Sequence, residues 1–191
     1  MAKKGRLTVI GGPMFAGKTT KLITIYRVLK KNGFKVVCFK AEGAEVNNRI
    51  GKTDSHDERP LPVIFIKKDK PELMLDLTKK HKAQKVLIDS VQFFPDKKTK
   101  KVIFTLLNNG IDVVANGLLY DYKRKYFYLM HELFDLADER IELFAICERC
   151  AGRAKHTERI SGGMERLVAT SQAKYITTCS RCHKIYKENK K

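Results

Sequence analysis

The feature that most limits what this chain can fold into is Gly12-Pro13-Met14-Phe15-Ala16-Gly17-Lys18-Thr19. It matches G-x-x-x-x-G-K-[ST], a loop whose backbone N–H groups cradle phosphate. The pattern carries weight only where a strand leads in and a helix leads out. Leu7-Thr8-Val9-Ile10 is a short apolar run ending in Gly11-Gly12, which reads as a buried strand. From Thr19 onward Leu22, Ile25, Tyr26 and Leu29 recur at helical spacing, and Gly33 stops the helix. The helix N-terminus adds partial positive charge to the loop's N–H groups. In such a loop Lys18 reaches the β- and γ-phosphates of a nucleotide, and the Thr19 hydroxyl binds Mg²⁺. The bland alternative is an ordinary glycine-rich turn, and the flanking strand and helix argue against it.

The alternation continues. Phe34 to Phe39, Pro62 to Ile66, Lys85 to Asp89 and Ile111 to Ala115 read as strands. Pro71 to Lys82 and Thr99 to Asn109 read as helices, the second stopped by Gly110. Strands and helices in turn predict an α/β fold with a mostly parallel sheet covered on both faces. Residues 41–60 have no periodicity, and a loop that long in a compact domain is often functional. The character changes near residue 141, where short strand-like pieces, cysteines and basic residues take over. The expected division is a nucleotide-binding domain over 1–140, a small metal-binding module over 141–185 and a basic tail over 186–191.

Composition narrows the classes. Lys and Arg total 39 against 21 Asp and Glu, a formal charge of +18. Such a chain favours anionic partners, namely nucleotides, nucleic acid or acidic membrane, although a lysine-rich solvated surface gives the same figure. With 43% hydrophobic residues the chain can bury a core, which excludes wholesale disorder. No apolar run reaches the ~18–20 residues of a membrane span, and no secretory signal is read at the N-terminus. Five cysteines, an odd number without an export signal, predict a reducing, cytoplasmic setting rather than a disulfide framework.

Three further motifs carry chemistry. Val86-Leu87-Ile88-Asp89 is an apolar strand ending in an acid, which suits a Mg²⁺-organising aspartate once a phosphate loop is present. Cys147-x-x-Cys150 and Cys179-x-x-Cys182 have the spacing of a four-thiolate Zn²⁺ ribbon, each pair on a turn that aims two sulfurs at one point. His156 and His183 are substitute ligands on this reading, though surface positions suit them better. Gly117 to Phe127 mixes aromatic and cationic residues directly after a strand. This segment either stacks a base and neutralises phosphate or packs as an aromatic loop.

Taken in order, Gly12 to Thr19, Ile88-Asp89-Ser90-Val91-Gln92-Phe93-Phe94, the loop with Arg124-Lys125 and the cysteine pairs resemble the zinc-containing thymidine kinases of the cytosolic and bacterial type. The resemblance implies a RecA-like parallel domain carrying the phosphate loop, a zinc-bearing lasso domain, and a homotetramer. It implies transfer of the γ-phosphate of ATP to the 5′-hydroxyl of thymidine with Mg²⁺. Carried over by position, Gly12 to Thr19 hold the nucleotide, and Thr19 and Asp89 hold Mg²⁺. Met14, Phe93, Leu118, Tyr122, Phe127 and Tyr175 wall the base, and Tyr122 stands where Phe is usual. The lasso, Arg153 to Tyr175, holds the thymine edge through backbone groups. Arg124 falls in a cationic part of the motif with a catalytic assignment.

The departures cluster on the acceptor side. The family pattern has Glu after the strand-end Asp as general base for the 5′-OH, and this chain has Ser90. A neutral hydroxyl is no base at pH 7, and losing a positioned base costs about 10²–10⁴ in rate. Glu45 and Asn47, with Arg49 nearby, stand at the family's Asp-x-Arg-Tyr element. Leu118-Leu119-Tyr120-Asp121-Tyr122 and Lys125-Tyr126-Phe127-Tyr128 replace the usual Leu-Asp-Gly/Thr-x-Phe and Lys-Pro-Phe-Gly. Three readings stand at this point. The first is a working deoxynucleoside kinase in which Asp89, Asp121 or Asp57 replaces the base. The second is an ATP-binding pseudoenzyme, and the third is a basic nucleic-acid-binding paralogue.

Overall fold

The computed structural model describes residues 3–43, 61–168 and 172–187. Six strands form one sheet: β1 (Leu7–Gly11), β2 (Val36–Ala41), β3 (Val63–Ile66), β4 (Lys85–Asp89), β5 (Asp112–Gly117) and β6 (Glu139–Glu142). Their spatial order is β3-β2-β4-β5-β1-β6, and every pairing is parallel. The predicted α/β class is therefore observed. Strand β6 joins the sheet beside β1, with Ile10 opposite Ile141.

Period-2 alternation sorts the central strands into two cores. Val9, Val37, Phe39, Val86, Ile88 and Val113 point to one face. There they meet Met74 of α2 (Leu73–Lys80), Val102 and Ile103 of α3 (Asp96–Asn108), and Leu129 and Met130 of α4 (Tyr128–Leu136). Ile10, Cys38, Leu87 and Val114 point to the other face, under Leu22 of α1 (Lys18–Lys31). A sheet covered this way buries both faces of its middle strands, which is why they read as continuous apolar runs. Cys38 is a small core residue, as its neighbours suggest.

Helix α4 has no counterpart among the expected elements. Its apolar face, Leu129, Met130 and Leu133, closes over β1 and a 3₁₀ turn at Val91–Phe93. Beyond the sheet lie two short antiparallel ribbons. One pairs β7 (Ala145–Ile146) with β8 (Arg153–Ala154), and the other pairs β9 (His156–Ser161) with β10 (Lys174–Thr178). The carboxyl ends of β1, β2, β4 and β5 open toward these ribbons, and in parallel sheets this is the edge where ligands bind.

Candidate active site

The loop read from sequence as phosphate-binding leaves β1 at Gly11 and enters α1 at Lys18. Gly12 admits no side chain, because a Cβ there would meet the Leu143 carbonyl oxygen at 2.4 Å. Gly17, immediately before the helix, has φ +78, a left-handed conformation that glycine adopts without penalty. The Lys18 ammonium donates to the Pro13 carbonyl and so folds back over the loop. Its burial pushes its pKa down to about 8, while the charge of Asp89 works in the opposite direction. The Met14 N–H donates to Thr157 Oγ1 at 2.9 Å, which ties the loop to β9.

Asp89 ends β4 almost fully buried. Its Oδ1 accepts from Thr19 Oγ1 at 3.3 Å and from Ser90 Oγ at 3.4 Å. Lys40 of β2 stands beside it in register, with Nζ 3.0 Å from Oδ2. Thr19 and Asp89 thus bring two hard oxygen donors together, a set that fits Mg²⁺. Ser90 sits in left-handed conformation (φ 60, ψ 53), and its N–H donates to Asn116 Oδ1 at 2.7 Å.

A cavity of about 400 Å³ opens between the loop, the ends of β2 and β4, and the second ribbon. Met14, Phe93, Leu118, Tyr122, Phe127 and Tyr175 all line it, as do Lys18, Thr19 and Ser90. The residues assigned to the base from sequence therefore share one cleft with those assigned to phosphate. Arg124 does not. It is exposed at φ +63 on the hairpin closed by the Tyr120–Tyr126 bridge. Glu45, Asn47, Arg49 and Asp57 lie outside the described residues.

The roof of the cleft is the segment 162–168, and its anchor is Arg159. This guanidinium is buried and carries no carboxylate partner among the described residues. Instead it donates to the carbonyls of Gly163, Glu165 and Arg166 and to the Tyr175 hydroxyl at 2.9 Å. It also lies 3.9 Å over the Tyr122 ring. The Tyr122 hydroxyl donates to Met164 O at 2.8 Å and that of Tyr175 to Val168 O at 3.0 Å. The hydroxyl that distinguishes Tyr122 from Phe is thus a tether for the roof. Arg166 fastens the same segment from outside, its Nε donating to Asp121 Oδ2 at 3.0 Å. Asp121 Oδ1 accepts from Lys123 N and Lys125 N. With three of about four acceptor sites engaged, this carboxylate is a structural anion and a poor candidate for the missing base.

The four cysteine sulfurs lie within 4.8 Å of one another. Cys150 and Cys179 Sγ are 3.8 Å apart. Four Zn–S bonds of about 2.3 Å in a tetrahedron require edges of about 3.8 Å, so the set fits Zn²⁺. The two histidines are corrected by their surroundings, since neither is a surface residue. His183 engages Thr178 Oγ1 and Tyr122 O through its two ring nitrogens, each at 3.0 Å. His156 Nε2 pairs with Ser180 Oγ at 3.1 Å, and burial drives its pKa down to about 4 with help from nearby cationic charge.

A family model described as thymidine kinase matches residues 5–183. The chain belongs to the thymidine kinase family. Among curated relatives, a thymidine kinase of Mycoplasma mobile is 31% identical over 188 residues, covering 97% of this chain and 90% of the relative. One from Mycoplasmoides gallisepticum is 31% identical, covering 97% and 87%. One from Pseudothermotoga lettingae is 29% identical, covering 94% and 95%. As a member of the thymidine kinase family the chain is a kinase.

Sequence reasoning missed Lys40, Asn116, Thr157, Arg159 and Arg166. Lys40 left one signal, a lone charge inside the apolar run Val36–Ala41. Asn116, Thr157 and Arg166 left none, because their partners Ser90, Met14 and Asp121 lie far away along the chain. Arg159 bonds carbonyls only four to seven residues on, but in an irregular segment with no periodicity to announce it.

Proposed function

We propose that this kinase transfers the γ-phosphate of ATP to the 5′-hydroxyl of thymidine. The observation that carries the reading is one cleft lined by Lys18, Thr19 and the six base-wall residues, with Asp89 bonded to Thr19 behind its wall. The loop amides and Lys18 bind and orient the phosphates. Thr19 and Asp89 would hold Mg²⁺, which supplies positive charge to the phosphoryl oxygens. The roof segment excludes water and lays backbone groups along the base. Transfer of this type depends on positioning and charge, so it tolerates a weakened base better than most reactions do. Zn²⁺ on the four cysteines is a structural staple with no open coordination position.

Several finer assignments belong to the same proposal. The chain divides into a nucleotide-binding domain over 1–140, a zinc-bearing lasso domain over 141–185 and a tail. It acts as a homotetramer in the cytoplasm, and no helix among the described residues is long and apolar enough to cross a membrane.

The test is phosphorylation of thymidine by purified, zinc-loaded protein with ATP and Mg²⁺, beside Lys18→Ala. Turnover is expected in the wild type, with a loss of at least about 10²-fold in the variant. Nucleotide binding without turnover on any deoxynucleoside would leave the pseudoenzyme reading instead.

A further inference from the structure

Lys40 is a buried ammonium beside the phosphate loop, and the transfer proposed above gives it no task. It is 5% exposed and lines the cleft. Parallel register sets it opposite Asp89 on the neighbouring strand. The 3.0 Å approach to Asp89 Oδ2 is close in distance, but that oxygen receives no aligned hydrogen bond. An ammonium offers three donors. Among the described residues Lys40 has one charge partner and no aligned acceptor. Burying an ammonium so sparsely paired is costly, and an arriving anion would relieve that cost.

The position of Asp89 identifies that anion. Its Oδ1 faces Thr19 and Ser90, and its Oδ2 faces Lys40. One carboxylate therefore separates Lys40 from the hydroxyl that organises the end of the triphosphate. Lys18 approaches from the loop, and Lys40 approaches from the sheet. We propose that Lys40 is a second phosphate-binding lysine, whose free donors engage the γ-phosphate and offset the charge that develops there during transfer. This rests on the reading of the cleft as an ATP-dependent kinase. It also gives the altered acceptor side a partial remedy, because charge stabilisation at the transferred group does not depend on a base at position 90.

The experiment compares ATP and ADP binding, with Mg²⁺ and without thymidine, in zinc-loaded wild type and Lys40→Met. The variant keeps most of the unbranched side chain and removes the charge. The expected result is a loss of about ten- to hundredfold for ATP with ADP unchanged, the size of a charge-assisted contact to the terminal phosphate. Equal losses for both nucleotides, or none, would overturn the proposal. A second measurement uses the wild type and so avoids any folding defect. The probe is an acyl phosphate of ATP, with the acyl group on the γ-phosphate. The Lys40 amine attacks the acyl carbonyl, the bond to the phosphate oxygen breaks, ATP leaves, and an amide remains as the amine proton passes to solvent. Mass spectrometry should find that amide on Lys40, suppressed by excess ATP. Labelling of Lys18 without Lys40 would count against the proposal. Neither readout involves thymidine, so a failed thymidine assay and a failed Lys40 assignment remain distinguishable.

Discussion

At position 90 a hydroxyl stands where the resemblance places a carboxylate, and its backbone already has the left-handed turn that aims the side chain into the cleft. Ser90→Glu should therefore raise kcat for thymidine, by up to the ~10²–10⁴ that a positioned base contributes. Steady-state kinetics of the two proteins would check this, and an unchanged kcat would show that proton removal does not limit turnover. Lys18 sets a pH dependence. Burial lowers its pKa to about 8, so it is charged below that value and neutral above it. Bound phosphates hold the proton on, so binding above this pH takes up one proton. ATP affinity should then fall about tenfold per pH unit above about pH 8 and change little below it. Calorimetric titration across that window tests the sign, and a flat dissociation constant would contradict it.

At the scale of elements, the roof depends on a side chain of the strand that leads into it. Arg159 projects from β9 and gathers three roof carbonyls and a tyrosine hydroxyl onto one guanidinium. Arg159→Met keeps much of the apolar stem and strands those acceptors. The expected cost is about 2–4 kcal/mol of stability, with kcat/KM for thymidine lowered by up to about 10²-fold as the roof loosens. ATP affinity should hold, since the phosphate loop is built by β1 and α1. Chemical denaturation and a comparison of the two KM values separate these effects. A variant that loses ATP and thymidine affinity equally would assign Arg159 to the general stability of the cleft.

At the scale of the molecule, the cysteine cluster ties the ribbons to the cleft. Glu158, beside Arg159 on β9, accepts from Arg149 in the first cysteine turn and from Lys184 N just past the second. His183, next to Cys182, reaches the carbonyl of Tyr122 at 3.0 Å. The base wall is thereby connected to the metal knuckles. Native mass spectrometry should find one zinc ion per chain, and a chelator should lower the Tm and abolish thymidine turnover. A chain with full activity and no zinc would remove this link.

Local pattern made much of this legible before any coordinates. The phosphate loop, the strand-end Asp89 and the two cysteine pairs are short-range signals, because their chemistry needs fixed spacing along the chain. The alternating apolar runs likewise announced a parallel sheet, since strands buried on both faces leave no polar positions. Tertiary structure decided the rest. Only the register of β2 against β4 puts Lys40 beside Asp89, and only the fold of the segment after β9 back over the Arg159 side chain gives it its acceptors. The role of Asp121 turned on Arg166, a partner from another segment of the chain. These contacts follow from how strands and segments pack, which no spacing along the chain encodes, so sequence named the loop, the acid, the cysteines and the base-wall candidates, while folding supplied the partners that hold them in place.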